Sequence, residues 1–234
     1  MAYKRALLKL SGEVLGGAAG QGLDPEALSR VAKELKEALA TGTQIAIVVG
    51  GGNFFRGLSP KGHTMNRVNA DYVGMLGTVM NAIALKDFLA GEGVEAVVMS
   101  AIEMPRVAML IQPLKAKKLL EKGKIVIFAG GTGHPFFSTD TTAALRAAEI
   151  EAEVVMKGTK VDGVYTADPM KDPKAERLPQ ISYEEVLQKD LKVMDLTAIT
   201  MCRENGLKIM VFNMREAGNI AKVLKGEAPC SVIS

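Results

Sequence analysis

Short apolar runs separated by stretches of helical spacing are what most narrow the folds open to this chain. "KRALLKL" (4–10), "QIAIVV" (44–49), "VEAVVM" (94–99) and "KIVIFAG" (124–130) are each too short for a helix and mainly apolar, although Lys9 interrupts the first. A strand apolar on successive residues buries both faces, as strands of a parallel sheet do. Between the first two runs, Asp24-Pro25 supplies an N-cap and a first-turn proline, Leu28, Val31, Ala32, Leu35 and Leu39 form one stripe, and Gly42 closes it. A long helical pattern covers about 66–89, with Gly74 and Gly77 as close-packing points, and a lysine-rich one covers 113–122. "STDTTAALRAAEIEA" (138–152) reads as a helix opened by Ser138, Thr139 and Asp140. There follow "EVVMK", the turn-rich "VDGVYTADPMKDP" (161–173), two short helices, the strand "KIMVF" (208–212) and a last helix from about 216. Such alternation implies an α/β fold, a mostly parallel sheet with helices on both faces. The Asp-Pro-rich segment 163–180 is the expected border between a front and a back lobe.

The composition removes several function classes. With 29 basic and 26 acidic residues the net charge is +3, too small and scattered to argue for nucleic acid. Cys202 and Cys230 form no CxxC, so neither a zinc site nor a disulfide framework is indicated, and a reducing cytoplasm fits. The N-terminal apolar stretch is cut by Lys9 and lacks a cleavage site, and the stretch from Tyr72 to Leu85 is expected to fall short of spanning a membrane. Two histidines, His63 and His134, rule out a histidine-cluster mechanism.

Three strand ends are rich in glycine: Lys9-Ser11-Gly12, Gly50-Gly51-Gly52-Asn53 and Gly130-Gly131-Thr132-Gly133. In open α/β sheets ligands gather at the carboxyl ends of strands, and glycine lets backbone N–H groups approach an anion. Three such turns point to a large, multiply phosphorylated ligand. Yet no GxxxxGK[ST] occurs, Phe55 stands where GxGxxG needs its last glycine, and the protein-kinase motifs are absent. Near the turns, Lys9 could face phosphate or snorkel from an edge strand, and Arg56 could clamp phosphate or sit exposed. Asp140 could be an N-terminal helix residue only, Asp71 reads as a solvated helix face, and Asp162 and Asp168 read as turn residues.

Taken together, "KLSGE" (9–13), "GGGNFFRG" (50–57), "MNRVNADYVGMLGTVMNAIAL" (65–85), "GTGHPFFSTDTTAA" (131–144), "KGTKVDGVYTADP" (157–169), "LKVMDLTA" (191–198) and "VFNM" (211–214) resemble, in order and spacing, the bacterial UMP kinases of the amino acid kinase superfamily. The resemblance implies one amino acid kinase-type domain over 1–234, a three-layer αβα sandwich about a mostly parallel eight-stranded sheet. Its front lobe (about 1–160) would bind UMP and oligomerise, and its back lobe (about 161–234) would bind ATP. It further implies the reaction of ATP and UMP to ADP and UDP with Mg2+, usually in a homohexamer. Lys9, Leu10, Ser11 and Gly12 would line the ATP phosphates with Gly52 and Arg56, and Thr159, Tyr165 and Asp168 would cradle the adenine nucleoside. UMP would lie against Gly51, Asp71, Thr132, Gly133, His134, Pro135, Phe136, Phe137, Ser138 and Thr139, which overturns the solvated reading of Asp71. Lys9, Arg56 and Asp140 would be catalytic, with Asp140 orienting Lys9 and helping to place the metal. Gly17, Ala18, Ala19, Gly20, Gln21 and Gly22 match the loop linked to activation by GTP and inhibition by UTP. His134 departs from the usual Asn or Ser. A sister kinase acting on a carboxylate or carbamate, and a non-catalytic nucleotide sensor, are the competing readings.

Overall fold

The computed structural model describes residues 3–55 and 65–234. Strand β1 (Arg5–Leu10) runs beside β2 (Gln44–Val49), and the alternation of its side chains sorts the core into two layers. Ala6, Leu8 and Leu10 point into one cluster and Leu7 into the other, with the same parity in Ile45, Ile47, Val49 against Ala46 and Val48. Full burial of each Leu or Ile contributes roughly 1.5–3 kcal/mol. The first cluster is covered by α1 (Gly12–Leu15), α2 (Pro25–Leu39), α3 (Arg67–Gly91) and α8 (Asn219–Lys225). The second is covered by α4 (Pro113–Glu121), α5 (Thr139–Glu149), α6 (Tyr183–Gln188) and α7 (Leu196–Glu204).

The other strands are β3 (Ala96–Ser100), β4 (Met109–Leu110), β5 (Ile125–Ala129), β6 (Val154–Thr159), β9 (Gln180–Ile181), β10 (Lys208–Asn213) and β11 (Cys230–Ile233). They join β1 and β2 in the order β4-β3-β5-β2-β1-β6-β10-β11-β9, and the β10–β11 pair is the antiparallel one. β7 (Val164–Tyr165) and β8 (Arg177–Leu178) form a separate antiparallel ribbon. The sheet of described residues has nine strands where eight are expected, with the two-residue strands β4 and β9 at its two edges. The last helix begins at Asn219, three residues later than the sequence suggests, behind Gly218 at φ 73°.

Helix caps follow the sequence closely. Asp24 accepts the Ala27 N–H at 2.7 Å, and Asn66 accepts that of Val68 at 2.9 Å. α3 corrects the expectation about membrane-spanning length: it runs 25 residues, and an 18-residue window reaches a mean hydropathy of 1.3, enough to cross a membrane by length and composition alone. One side of it, with Met75, Val79, Ala82, Leu85 and Leu89, is buried and packs on β3 and β5.

Candidate active site

The strand order reverses direction at β1, with β2 on one side and β6 on the other, which makes the β1–β6 seam the switch point where α/β sheets bind ligands. Lys9 and Lys157 are register partners across that seam, near the carboxyl ends of their strands. By parity they share the face of Leu7 and Val155, so each replaces an apolar residue at the rim of the second core cluster. Like charges opposed on neighbouring strands repel. The repulsion is relieved by Asp140 of α5, which lies 3.3 Å from Lys9 Nζ through Oδ1 and accepts from Lys157 Nζ at 2.7 Å through Oδ2. α5 reaches the sheet this closely because its inner face is alanine, at 143, 144 and 147. Burial lowers the pKa of Lys157, and the Asp140 carboxylate works against that shift.

The three glycine turns lie together at this edge, since β5, β2 and β1 are neighbours. A Cβ on Gly12 would overlap Asn53 Oδ1 and the Gly50 carbonyl, and one on Gly51 would overlap the Gly74 carbonyl of α3, so only glycine fits. The triple-glycine turn is tied to α3 by two buried asparagines. The Asn53 and Asn81 amides exchange hydrogen bonds at 2.9 and 2.8 Å, and Asn81 also donates to the Gly50 carbonyl at 2.7 Å. Asn53 Nδ2 donates to the Gly22 carbonyl at 2.6 Å, while the Gly22 N–H returns a bond to the Asn53 carbonyl at 2.9 Å. The loop 16–22 forms a 3-10 turn at Gly17–Ala19 and is tied to the glycine turn through Gly22.

Two cavities lie beside this cluster: Thr139 and Thr141, on either side of Asp140, line the first, and Lys157 lines the second. The first, about 840 Å³, is lined by Gly51, Gly52, Asp71, His134, Phe136, Phe137, Ser138 and Thr139, eight of the residues assigned from the sequence. Asp71 is no solvated helix residue: both its oxygens accept from Arg67 Nε, at 2.9 and 2.8 Å, and Oδ2 also takes the Phe136 N–H at 2.7 Å. That bond helps hold Phe136 at φ 73°, a backbone state that costs a non-glycine residue about 1–2 kcal/mol. The Arg67 guanidinium also stands 5.4 Å over the Phe136 ring. Thr132 bonds within its own loop, its hydroxyl donating to the His134 carbonyl at 3.0 Å, and Gly133 N–H donates to the Gly130 carbonyl at 2.9 Å. Pro135 lies in the same loop, half-buried.

The second cavity, about 600 Å³, brings Thr159, Tyr165 and Asp168 together with Lys157 and Val193. Thr159 Oγ1 donates to the Val161 carbonyl at 2.7 Å, and the Tyr165 hydroxyl donates to Asp162 at 2.6 Å. That bond to the Asp162 carboxylate raises the Tyr165 pKa, so the phenol stays protonated. Asp168 closes its own turn by accepting the Met170 N–H at 3.0 Å. Ser11 caps α1 without a side-chain bond. Leu10 is fully buried, and its carbonyl accepts the Gly50 N–H at 2.8 Å. Arg56 lies outside the described residues.

Sequence reasoning missed Lys157 and Asp195. Lys157 ends "EVVMK", an unremarked strand lysine, and the available signal was its parity with buried Val155. Asp195, inside "LKVMDLTA", lines the first cavity and accepts from Ser138, Thr141 and the Ala198 N–H. Burial raises its pKa, but these bonds and the Lys157 charge outweigh that and hold the carboxyl below the usual range. Among the described residues no group of three or more His, Cys, Asp or Glu is placed to hold a metal.

Comparison with known proteins agrees with this geometry. The sequence profile of the Amino acid kinase family matches residues 4–213. A uridylate kinase of Magnetococcus marinus is 53% identical over 230 residues, 98% of this chain and 95% of that protein. The UMP kinase of Bacillus anthracis superposes with a TM-score of 0.96 at 35% identity, covering 100% of this chain and 97% of the other. That of Ureaplasma parvum superposes at 0.94 with 35% identity and full coverage of both chains. With a lysine–aspartate–lysine cluster at the switch point and relatives matched end to end, the chain belongs to the amino acid kinase family, among its uridylate kinases.

Proposed function

We propose that the chain is a nucleoside monophosphate kinase that moves the γ-phosphoryl group of ATP to UMP, giving ADP and UDP. The observation that carries this reading is the Lys9–Asp140–Lys157 cluster set between two cavities, one for each nucleotide. UMP as the acceptor follows from the names of the relatives. In this reading the second cavity takes the adenine nucleoside against Thr159, Tyr165 and Asp168, on the back lobe. The first takes UMP, its ribose toward Asp71 and its phosphate toward the loop from Thr132 to Thr139, on the front lobe. Ser11, Gly12 and Gly52 face the ATP phosphates, and Arg56 is assigned there from the sequence alone.

Phosphoryl transfer leaves little covalent work to the protein, so positioning and charge carry catalysis. A UMP phosphate oxygen attacks Pγ, the bond from Pγ to the β,γ-bridging oxygen breaks, and its electron pair leaves with ADP. No proton moves, because the attacking oxygen is already ionised at neutral pH. Lys9 and Lys157 offset negative charge on the group in flight, and Asp140 keeps the two ammoniums apart and aimed. The described residues fit Mg2+ as an ion that arrives on ATP rather than one held in a protein cage. Asp140, whose Oδ1 is buried and makes no hydrogen bond, would be the residue to help hold it. When bound, Mg2+ supplies further charge neutralisation at the β- and γ-phosphates.

The same reading includes control by GTP and UTP through 16–22, assembly through α3 as a dimer or hexamer, and a place in the cytoplasm. A coupled ADP-release assay with UMP, CMP, glutamate, aspartate and carbamate tests the central claim. Turnover with UMP well above CMP is expected, because a site built for one base strands its polar groups with the other. Equal kcat/KM for the two nucleotides removes the selectivity, and turnover on a carboxylate or carbamate in place of UMP overturns the reading.

A further inference from the structure

Residues 193–195 form the wall between the two cavities and touch both halves of the site. On one side the Val193 carbonyl accepts from Lys157 Nζ at 2.5 Å. On the other, Asp195 Oδ1 accepts the Thr141 hydroxyl at 2.9 Å and the Ala198 N–H at 3.0 Å, while Oδ2 accepts the Ser138 hydroxyl. One carboxylate therefore joins the start of α7 to the start of α5, two residues from Asp140. Ser138 meanwhile caps α5 by accepting the Thr141 N–H at 3.0 Å. A hydroxyl has one proton to donate. Ser138 spends it on Asp195, although the side chain lines the first cavity.

We propose that Asp195 is a positioning residue for phosphoryl transfer: it fixes the direction of the Ser138 proton and holds the Ser138–Asp140 turn in register with the Val193–Lys157 contact. This rests on the kinase reading above. Asp195 also adds negative charge near Lys157, whose charged surroundings are Asp140 from α5, Lys9 from β1 and Asp195 before α7. Cys202 of α7 lies behind them and stays neutral, its thiol pushed up to about 12 by burial and by the Asp140 and Asp195 charges. Tyr183 of α6, also neutral, donates its hydroxyl to the Leu207 carbonyl at 2.5 Å. Burial drives the Lys157 pKa down, and Asp195 helps Asp140 resist that shift.

Asp195→Asn tests this with little change of shape. The asparagine Oδ1 keeps the Thr141 and Ala198 bonds, so Nδ2 faces Ser138 and donates to it, and the Ser138 proton turns elsewhere. The expected result is a folded variant in which kcat drops roughly tenfold, the scale of one hydrogen bond. The KM for ATP stays near that of the unaltered enzyme, so the loss falls on kcat. Ser138→Ala removes the same proton and serves if the asparagine variant does not fold. It should lower kcat similarly, with the KM for ATP again unmoved. An Asp195→Asn enzyme with unchanged kcat overturns the proposal. So does a loss that appears only with a lower Tm and disappears at a temperature where the variant is fully folded, which would mean a helix cap and nothing more. Ser138→Ala with full turnover overturns it as well. UMP-dependent ADP release by the unaltered enzyme is the reference: its absence refutes the kinase reading together with this one, whereas its presence beside an unaffected variant refutes the role of Asp195 alone.

Discussion

Lys9 and Lys157 occupy neighbouring positions on adjacent strands and share one carboxylate, so substitutions in this cluster separate charge from packing. Lys9→Met keeps the stem and removes the ammonium. Asp140 retains Lys157, so the fold should survive, while turnover should fall by roughly 10²–10³-fold, the usual size for one preorganised electrostatic contact. Near-normal kcat in a variant with an unchanged Tm would return Lys9 to the role of a snorkelling lysine. Asp140→Ala is expected to behave differently, because it leaves two mostly buried lysines unpaired. A loss of about 3–5 kcal/mol, as for broken buried pairs, should appear as a clear drop in Tm alongside lost activity. The depressed pKa of Lys157 makes a pH prediction. Its charged form is present at low pH and is lost as pH rises through the folded value, so kcat should decline on the alkaline side before ordinary lysines titrate. An alkaline limb at or above the ordinary lysine range in the unaltered enzyme, and unmoved in Lys157→Arg, would contradict this. Of these residues Lys9 was legible because a glycine turn follows it. Lys157 and Asp195 were not, because nothing within a few residues distinguishes a lysine at the rim of a buried site from one at a surface strand end. Only pairing across the seam, 148 residues apart, tells them apart.

At the scale of elements, the long helices and the internal strands were readable because their apolar periods are unambiguous. The two-residue strands β4, β7, β8 and β9 were not, since two residues carry no period, and β11 gained strand form from pairing with β10. Gly74 and Gly77 were read as packing points, and the reason is now specific: α3 rides against the triple-glycine turn, with Gly77 and Gly51 in close backbone approach. The Asn53–Asn81 pair extends that contact to the loop 16–22. Deleting residues from this loop should therefore reduce basal turnover as well as any response to GTP or UTP, because Gly22 is bonded at both its polar groups to Asn53. Gln21→Ala, at an exposed position with the backbone intact, should change the effector response alone. Parallel titrations of both variants with GTP and UTP check this, and a deletion that leaves basal kcat intact would show the bonds to Asn53 to be dispensable.

At the scale of the whole molecule, the outer face of α3 carries Tyr72, Val73, Leu76, Met80 and Ile83, each 37–45% exposed, with Leu23 and Phe54 beside them. Contiguous apolar surface of this kind marks an interaction site. Light scattering at micromolar concentration should report a dimer or a hexamer, and Met80→Glu with Ile83→Glu should shift it toward monomer. A monomeric mass for the unaltered protein would leave that face unexplained. The sheet order has a consequence for synthesis too. β1 is translated before both its partners yet lies mid-sheet, paired on one side with residues 44–49 and on the other with residues 154–159. A ribosome needs on the order of ten seconds to make the chain between those partners. Throughout that interval β1 lacks its β6 partner, and an unpaired strand edge invites pairing with a neighbouring chain.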